Sequence, residues 1–225
     1  MPSERLAAAI DALLAGDDLG RDGAAAALEI VMSGEAGETQ TAGLLVALRA
    51  KGETRDELAG LASVIRAHST RVVTDVPGLV DTCGTGGGRP TFNISTAAAF
   101  VTAGAGVPVC KHGARGASSK CATADVLEEL GVEIQLTPEG VRACIDEAGI
   151  GFCFAPAFHP AFRFAAPSRV EIGIPTVFNL LGPMANPGRV RRQVIGVANA
   201  AFAERMVETL RSHGSIHAWV VHGGG

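Results

Sequence analysis

Residues 81–96 read DTCGTGGGRPTFNIST, and this stretch decides the fold. An apolar run at 79–82 precedes it and a helical pattern over 96–103 follows. Gly84, Gly86, Gly87 and Gly88 therefore sit where a strand hands over to a helix. Glycine lets the backbone take positive φ and approach a ligand closely. The following helix offers unpaired N–H groups and the positive end of its dipole, which suit a phosphate. Asn93, Ser95 and Thr96 add amide and hydroxyl groups at that end. Two common phosphate motifs are excluded. A Walker A loop needs Gly-Lys-Ser/Thr downstream, and none follows Gly84 or Gly86. The dinucleotide fingerprint needs a third glycine where Arg89 stands. Alone, a glycine-rich turn is a weak signal, and a tight strand–helix connection with no ligand stays open beside a ligand loop.

A second segment shifts that balance. VCKHGARGASSKCATADVLEELG, residues 109–131, again leaves an expected strand and enters a helix through a polar loop. Lys111, His112 and Arg115 lie close together, followed by Ser118, Ser119 and Lys120. Two strand ends thus bring phosphate-compatible groups to one sheet edge, where open α/β sheets bind ligands.

Working outward, strands are expected over 79–82, 107–110, 151–154, 194–197 and His217–Val221. Helices are expected over 96–103, 124–130, Pro138–Ala148, 160–172 and 200–212. This alternation predicts a parallel or mixed α/β sheet. Thr137-Pro138 is a good helix start and Gly149 a good stop. Upstream, the pattern is helical. Leu6, Ile10, Leu13 and Leu14 form an apolar stripe, 24–32 and 40–50 form two further segments, and Thr39 is an expected N-cap. Thr54 with Glu57 spells a capping box ahead of Leu58, Leu61, Val64 and Ile65. The expected organisation is a helical domain over 1–72 and an α/β domain over 76–225.

Composition bounds the function. With 225 residues, 47% hydrophobic and 19% charged, the chain is globular. Its formal charge of −4 gives no global field for nucleic acid or an anionic membrane. The five cysteines show no C-x-x-C pair or zinc spacing, which fits reduced thiols in a cytoplasmic protein. No signal pattern or run long enough to span a membrane is present.

The blocks GTGG…TFNIST, KHG…SSK…ADVLEELG and GFCFAPAFHPAFRFAAPSRVEIGIPTVFNLLGPMANP, in this order, resemble the anthranilate phosphoribosyltransferases of tryptophan biosynthesis. TAGLLVALRAKGET in the helical part fits as well. The resemblance implies a small helical domain beside a larger α/β domain of nucleoside phosphorylase/phosphoribosyltransferase type. It implies a homodimer and two small-molecule substrates, anthranilate and 5-phosphoribosyl-1-pyrophosphate (PRPP), with Mg²⁺ as cofactor. The amine attacks C1 of the ribose and pyrophosphate leaves, which calls for positioning and charge stabilisation rather than a nucleophilic side chain. Carried over by motif, Gly84, Thr85, Gly86, Gly87, Gly88, Thr91, Asn93, Ile94, Ser95 and Thr96 resemble PRPP contacts. So do Lys111, His112, Gly113, Arg115, Ser118, Ser119 and Thr123. Ser95 matches a Mg²⁺ ligand. Gly84, Ala114, Pro156, His159 and Arg169 match the anthranilate site, where a guanidinium fork at Arg169 suits a carboxylate.

Three departures accompany the resemblance. The family loop reads G-T-G-G-D-G, whereas GTGGGRPTF is shorter and lacks the aspartate. The family KHG is followed by asparagine, whereas Ala114 stands here. Family members continue past VVHGGG with a Leu-Asp-Glu segment whose carboxylates hold Mg²⁺ and with more of the α/β domain, so an incomplete α/β domain is expected. Alternative readings are a catalytically impaired fragment or degenerate copy, a nucleic-acid-binding relative, and a pyrimidine nucleoside phosphorylase.

Overall fold

The structure, a computed structural model, describes residues 2–87, 92–116 and 121–223. Four helices come first: α1 (Glu4–Ala15), α2 (Gly20–Met32), α3 (Glu38–Lys51) and α4 (Arg55–Ala67). Local chemistry sets their ends. The Ser3 hydroxyl accepts the Leu6 N–H at 3.3 Å, and Gly16 closes α1 in the left-handed region. The Thr54–Glu57 capping box forms as expected, with bonds of 3.2 and 2.8 Å. Glu57 is fully buried, and it also accepts from the Leu19 N–H and pairs with Lys51 at 3.0 Å. Burial pulls the Lys51 ammonium down, but its bonds to Asp18 and Glu57 outweigh this and leave it raised. The expected N-cap at Thr39 is displaced: α3 starts at Glu38 behind an extended Gly37, so Thr39 lies inside its first turn. At Gly60 α4 crosses α2 so closely that a Cβ would stand 2.1 Å from the Arg21 carbonyl oxygen.

Five parallel strands follow: β1 (Val80–Gly84), β2 (Val109–Gly113), β3 (Ile150–Phe154), β4 (Arg192–Gly196) and β5 (His217–Val221), in the order β3-β2-β1-β4-β5. The chain winds one way from β1 to β3, then crosses to the far side of β1 to lay down β4 and β5. Its switch point is the crevice between the carboxyl ends of β1 and β4, which run in register from Val80↔Arg192 to Gly84↔Gly196. Strand β5 pairs with β4 along its length, and among the described residues its other edge has no partner.

The intervening helices are α5 (Ile94–Gly104), α6 (Thr123–Glu129), α7 (Pro138–Ala148), α8 (Ala155–Phe158), α9 (Ala166–Ile172), α10 (Val177–Met184) and α11 (Ala203–Ser212). One expectation fails at 160–172. The segment is a 3₁₀ turn (Pro160–Phe164) followed by the separate α9. Pro160 and Pro167 lack the N–H that a continuous helix requires, so each sits in the first turn of its own short element. The bundle and sheet share one apolar core. Leu58, Leu61 and Ile65 of α4 join Phe178 and Leu181 of α10, Met206 and Leu210 of α11, and Ile195 of β4.

Candidate active site

The first half of the site is the switch-point crevice. Gly86 and Gly87 turn the chain out of β1 with φ of 65° and 74°, a region L-residues avoid. Thr85 pins the turn: its N–H reaches the Gly196 carbonyl at 3.0 Å, and its hydroxyl accepts the Ala198 N–H at 3.1 Å. Asn179 closes the far wall by donating to the Thr85 carbonyl at 3.2 Å, while its own oxygen accepts the Thr176 N–H at the start of α10. A cavity of about 200 Å³ opens here, lined by Thr85, Gly86, Gly87, Asn179 and Asn199, with Arg49 and Glu53 from the bundle. Glu53 is 6% exposed, and burial pushes its carboxyl up. Its backbone carbonyl accepts from the Arg205 guanidinium of α11.

The second half lies at the ends of β2 and β3, and here the sequence reading needs correction. Lys111, His112 and Gly113 are not loop residues. Strand β2 runs through Gly113, paired residue for residue with β3 up to Gly113↔Phe154. Lys111 and His112 are consequently 3% and 6% exposed. The Lys111 ammonium donates to the His112 carbonyl at 3.1 Å. His112 Nδ1 lies 3.2 Å from the Gly182 carbonyl, while its Nε2 is buried without a partner. The His112 ring is 5.0 Å from that of His159, which stacks on Phe162 at 4.7 Å. Phe162 meets Phe178 edge-on at 5.3 Å, and the Arg169 guanidinium lies over Phe178 at 4.8 Å. One contact chain thus links His112, His159 and Arg169. Burial depresses all three, His159 to about 4 with Arg189 adding to the effect. Ala114 and Pro156, both exposed, follow the paired strand ends at this edge.

The start of α5 meets the start of α6. Thr96 donates to Thr123 at 3.0 Å and Asn93 to the Cys121 sulfur at 3.4 Å, joining α5 to the start of α6. The half-buried Ser95 offers its carbonyl to the Thr82 hydroxyl at 2.7 Å, and Ile94 is exposed. Gly84 is the last, exposed residue of β1. Arg115 has its fork engaged by Glu128, with Asp125 nearby at 3.7 Å. Gly88, Thr91, Ser118 and Ser119 lie outside the described residues. Sequence reasoning missed Glu53, Asp81, Asn179 and Asn186, since single polar residues at strand starts or helix turns carry no motif.

A Mg²⁺ ion makes its own demands. Among the described residues, no three His, Cys, Asp or Glu side chains form a metal-holding group. Ser95 is a lone neutral oxygen, and Mg²⁺ is held by carboxylates and phosphate oxygens. The described residues by themselves do not fit this ion.

A helical bundle joined to a parallel sheet, with a glycine turn at the switch point and a basic strand end beside it, defines an α/β protein with a crevice at the carboxyl edge of its sheet. The chain belongs to the glycosyl transferase family: residues 7–69 match its helical bundle domain and residues 76–225 its a/b domain. It is 57% identical over 218 residues to an anthranilate phosphoribosyltransferase of Chloroflexus aurantiacus, covering 96% of this chain and 64% of that protein. The chain therefore spans somewhat less than two thirds of that relative's length. It is also similar to the crystal structure of anthranilate phosphoribosyltransferase from Thermus thermophilus, with a TM-score of 0.89 and 42% identity over 96% of this chain and 66% of that one. The enzyme from Saccharomyces cerevisiae in complex with PRPP and Mg superposes with a TM-score of 0.90 at 29% identity, covering 99% of this chain and 67% of that one.

Proposed function

We propose that this chain carries the PRPP and anthranilate sites of an anthranilate phosphoribosyltransferase of tryptophan biosynthesis. The observation that carries the reading is the meeting of the glycine turn, the α5 start and the buried Lys111 end of β2 on one carboxyl edge. Backbone N–H groups of the turn, with Asn93 and Thr96, hold the diphosphate, and Lys111 supplies positive charge to the phosphates. Arg169, backed by Phe178, receives the anthranilate carboxylate, and His159 lines that pocket. The bond from the amine nitrogen to C1 forms as the C1–O bond to pyrophosphate breaks. Pyrophosphate leaves with the electron pair, and the amine gives up one proton to the departing pyrophosphate or to water. Ser95 is the residue that the resemblance assigns to Mg²⁺, and a bound ion would offset the negative charge of the departing pyrophosphate.

The test is titration of PRPP into the chain by calorimetry, with and without Mg²⁺, followed by assay of anthranilate consumption. Binding with turnover supports the first reading. Binding without turnover favours the second reading, an impaired copy, for which the missing loop aspartate and the absence of a carboxylate set among the described residues speak. No PRPP binding overturns both. We also propose a homodimer through the bundle, where Leu14 of α1 and Val46 of α3 are 69% and 44% exposed on neighbouring helices. A monomeric mass by light scattering would refute it.

A further inference from the structure

Asp81 is fully buried at the head of the glycine stretch, and both its oxygens are occupied. Oδ1 accepts the backbone N–H of His112 at 3.2 Å, and Oδ2 accepts the Asn186 side-chain amide at 2.8 Å. Asn186, 3% exposed, also donates to the Cys110 carbonyl at 2.8 Å, and its oxygen accepts the Gly188 N–H at 2.8 Å. This Asp–Asn pair ties β1 and the turn after α10 to β2 on both sides of Lys111. The same cluster holds the α10 exit from two more directions: His112 Nδ1 meets the Gly182 carbonyl, and Gln193 donates to the Pro183 carbonyl at 2.7 Å. Burial drives the Asp81 carboxyl up, and the Lys111 ammonium is the strongest influence drawing it back. Holding a charge here costs desolvation, and a pair of apolar groups of the same shape would serve packing alone as well.

We infer that Asp81 and Asn186 are positioning residues: Asp81 anchors the His112 backbone beside Lys111, and Asn186 locks the α10 exit to the Lys111–His112 strand end. The inference rests on the reading of that strand end as part of the PRPP site. It makes Lys111 a fixed group that meets phosphate from one place rather than a mobile surface cation. It also explains why the glycine stretch begins with an aspartate that touches no cavity.

Asp81→Asn places an amide against the Asn186 amide, so one oxygen must serve where two did. The test measures PRPP affinity of the chain by calorimetry, melting temperature, and hydrogen–deuterium exchange of peptides covering residues 109–116 and 150–154. Asp81→Asn is expected to weaken PRPP binding at least about tenfold, as loss of a charge-assisted bond would. It is also expected to speed exchange at 109–116 while sparing 150–154. Thr209→Val, a buried threonine bonded within its own helix at 2.8 Å, serves as the stability control and should melt lower with unchanged PRPP affinity. The double exchange Asp81→Asn with Asn186→Asp restores the mutual bond but strips Cys110 of its donor and moves the charge. It should recover melting temperature more than affinity. Wild-type affinity in Asp81→Asn would overturn the inference. If the parent chain binds no PRPP, the functional reading has failed, and the exchange data still decide the positioning: unchanged exchange at 109–116 would sink it.

Discussion

The two halves of the carboxyl edge are built by opposite means. Between β1 and β4 the wall is backbone: two glycines at positive φ, a threonine pinned by two main-chain bonds, and an amide that closes on a carbonyl. Around β2 the wall is side chain: Lys111, His112, His159 and, from the adjacent β1, Asp81, each at most 6% exposed. A backbone wall is shaped by conformation and tolerates changes of side-chain chemistry around it. A side-chain wall is shaped by charge and hydrogen bonding in a low dielectric, and it responds to pH.

That contrast is broken most directly by acid. His159 is held at about 4 in the folded chain against an ordinary 6.5, by burial and then by Arg189. Between those pH values the unfolded chain binds a proton that the folded chain refuses. Stability therefore falls as pH drops from 6.5 toward 4, by about 3 kcal/mol. His112 is depressed in the same direction and adds to the loss. Asp81, raised by burial, acts the other way and recovers part of it as pH falls. Denaturant melts at several pH values should show the slope. His159→Phe, whose ring can keep the stack on Phe162, should remove the His159 share of it and leave that of His112. A flat wild-type profile would mean the histidine pair is hydrated rather than buried neutral.

On the backbone side the expected effects are smaller and of another kind. A Cβ on Gly86 would find its nearest atom, the Asn179 amide nitrogen, at 3.9 Å, so the space is adequate and the cost is conformational. Gly86→Ala should lose about 1–2 kcal/mol, independent of pH between 5 and 8, together with PRPP affinity. A pH-dependent loss in this variant would erase the distinction between the halves. Smaller still is Thr96→Val, which removes the 3.0 Å bond to Thr123 that fastens the start of α5 to the start of α6. About 1 kcal/mol of stability should go, readable as a shift in urea midpoint.

How far each half is legible in the sequence follows from the same physics. Conformational demands leave glycine in the sequence, so the turn at 84–87 can be read without a structure. Buried charge leaves no such mark. Lys111 and His112 look like loop residues because the apolar run ends at Cys110, and only pairing with β3 shows the strand continuing through Gly113. Asp81 and Asn186 lie 105 residues apart and meet only in the fold. The broken helix at 160–172 is in principle readable from Pro160 and Pro167, but the apolar periodicity across them masks the break. The helical bundle is the clearest part, since caps and stripes are local.

Arg115, just past the end of β2, lies over the Phe154 ring of β3 and offers the finest test. Motif resemblance makes it a phosphate contact, yet its guanidinium is engaged by Glu128 on α6, with Asp125 close by. The pair is solvent-exposed, so its contribution to folding is small whatever its geometry. Glu128→Gln should leave the melting temperature unchanged. If Arg115 is a phosphate-binding group held in reserve, the substitution frees its fork and PRPP affinity rises, most visibly at low salt. If Arg115 is a clasp that shapes the start of α6, affinity stays level or falls, because the two bonds that tie the segment after β2 to α6 through Glu128 are weakened. The sign of the change assigns Arg115 either to the ligand or to the wall around it.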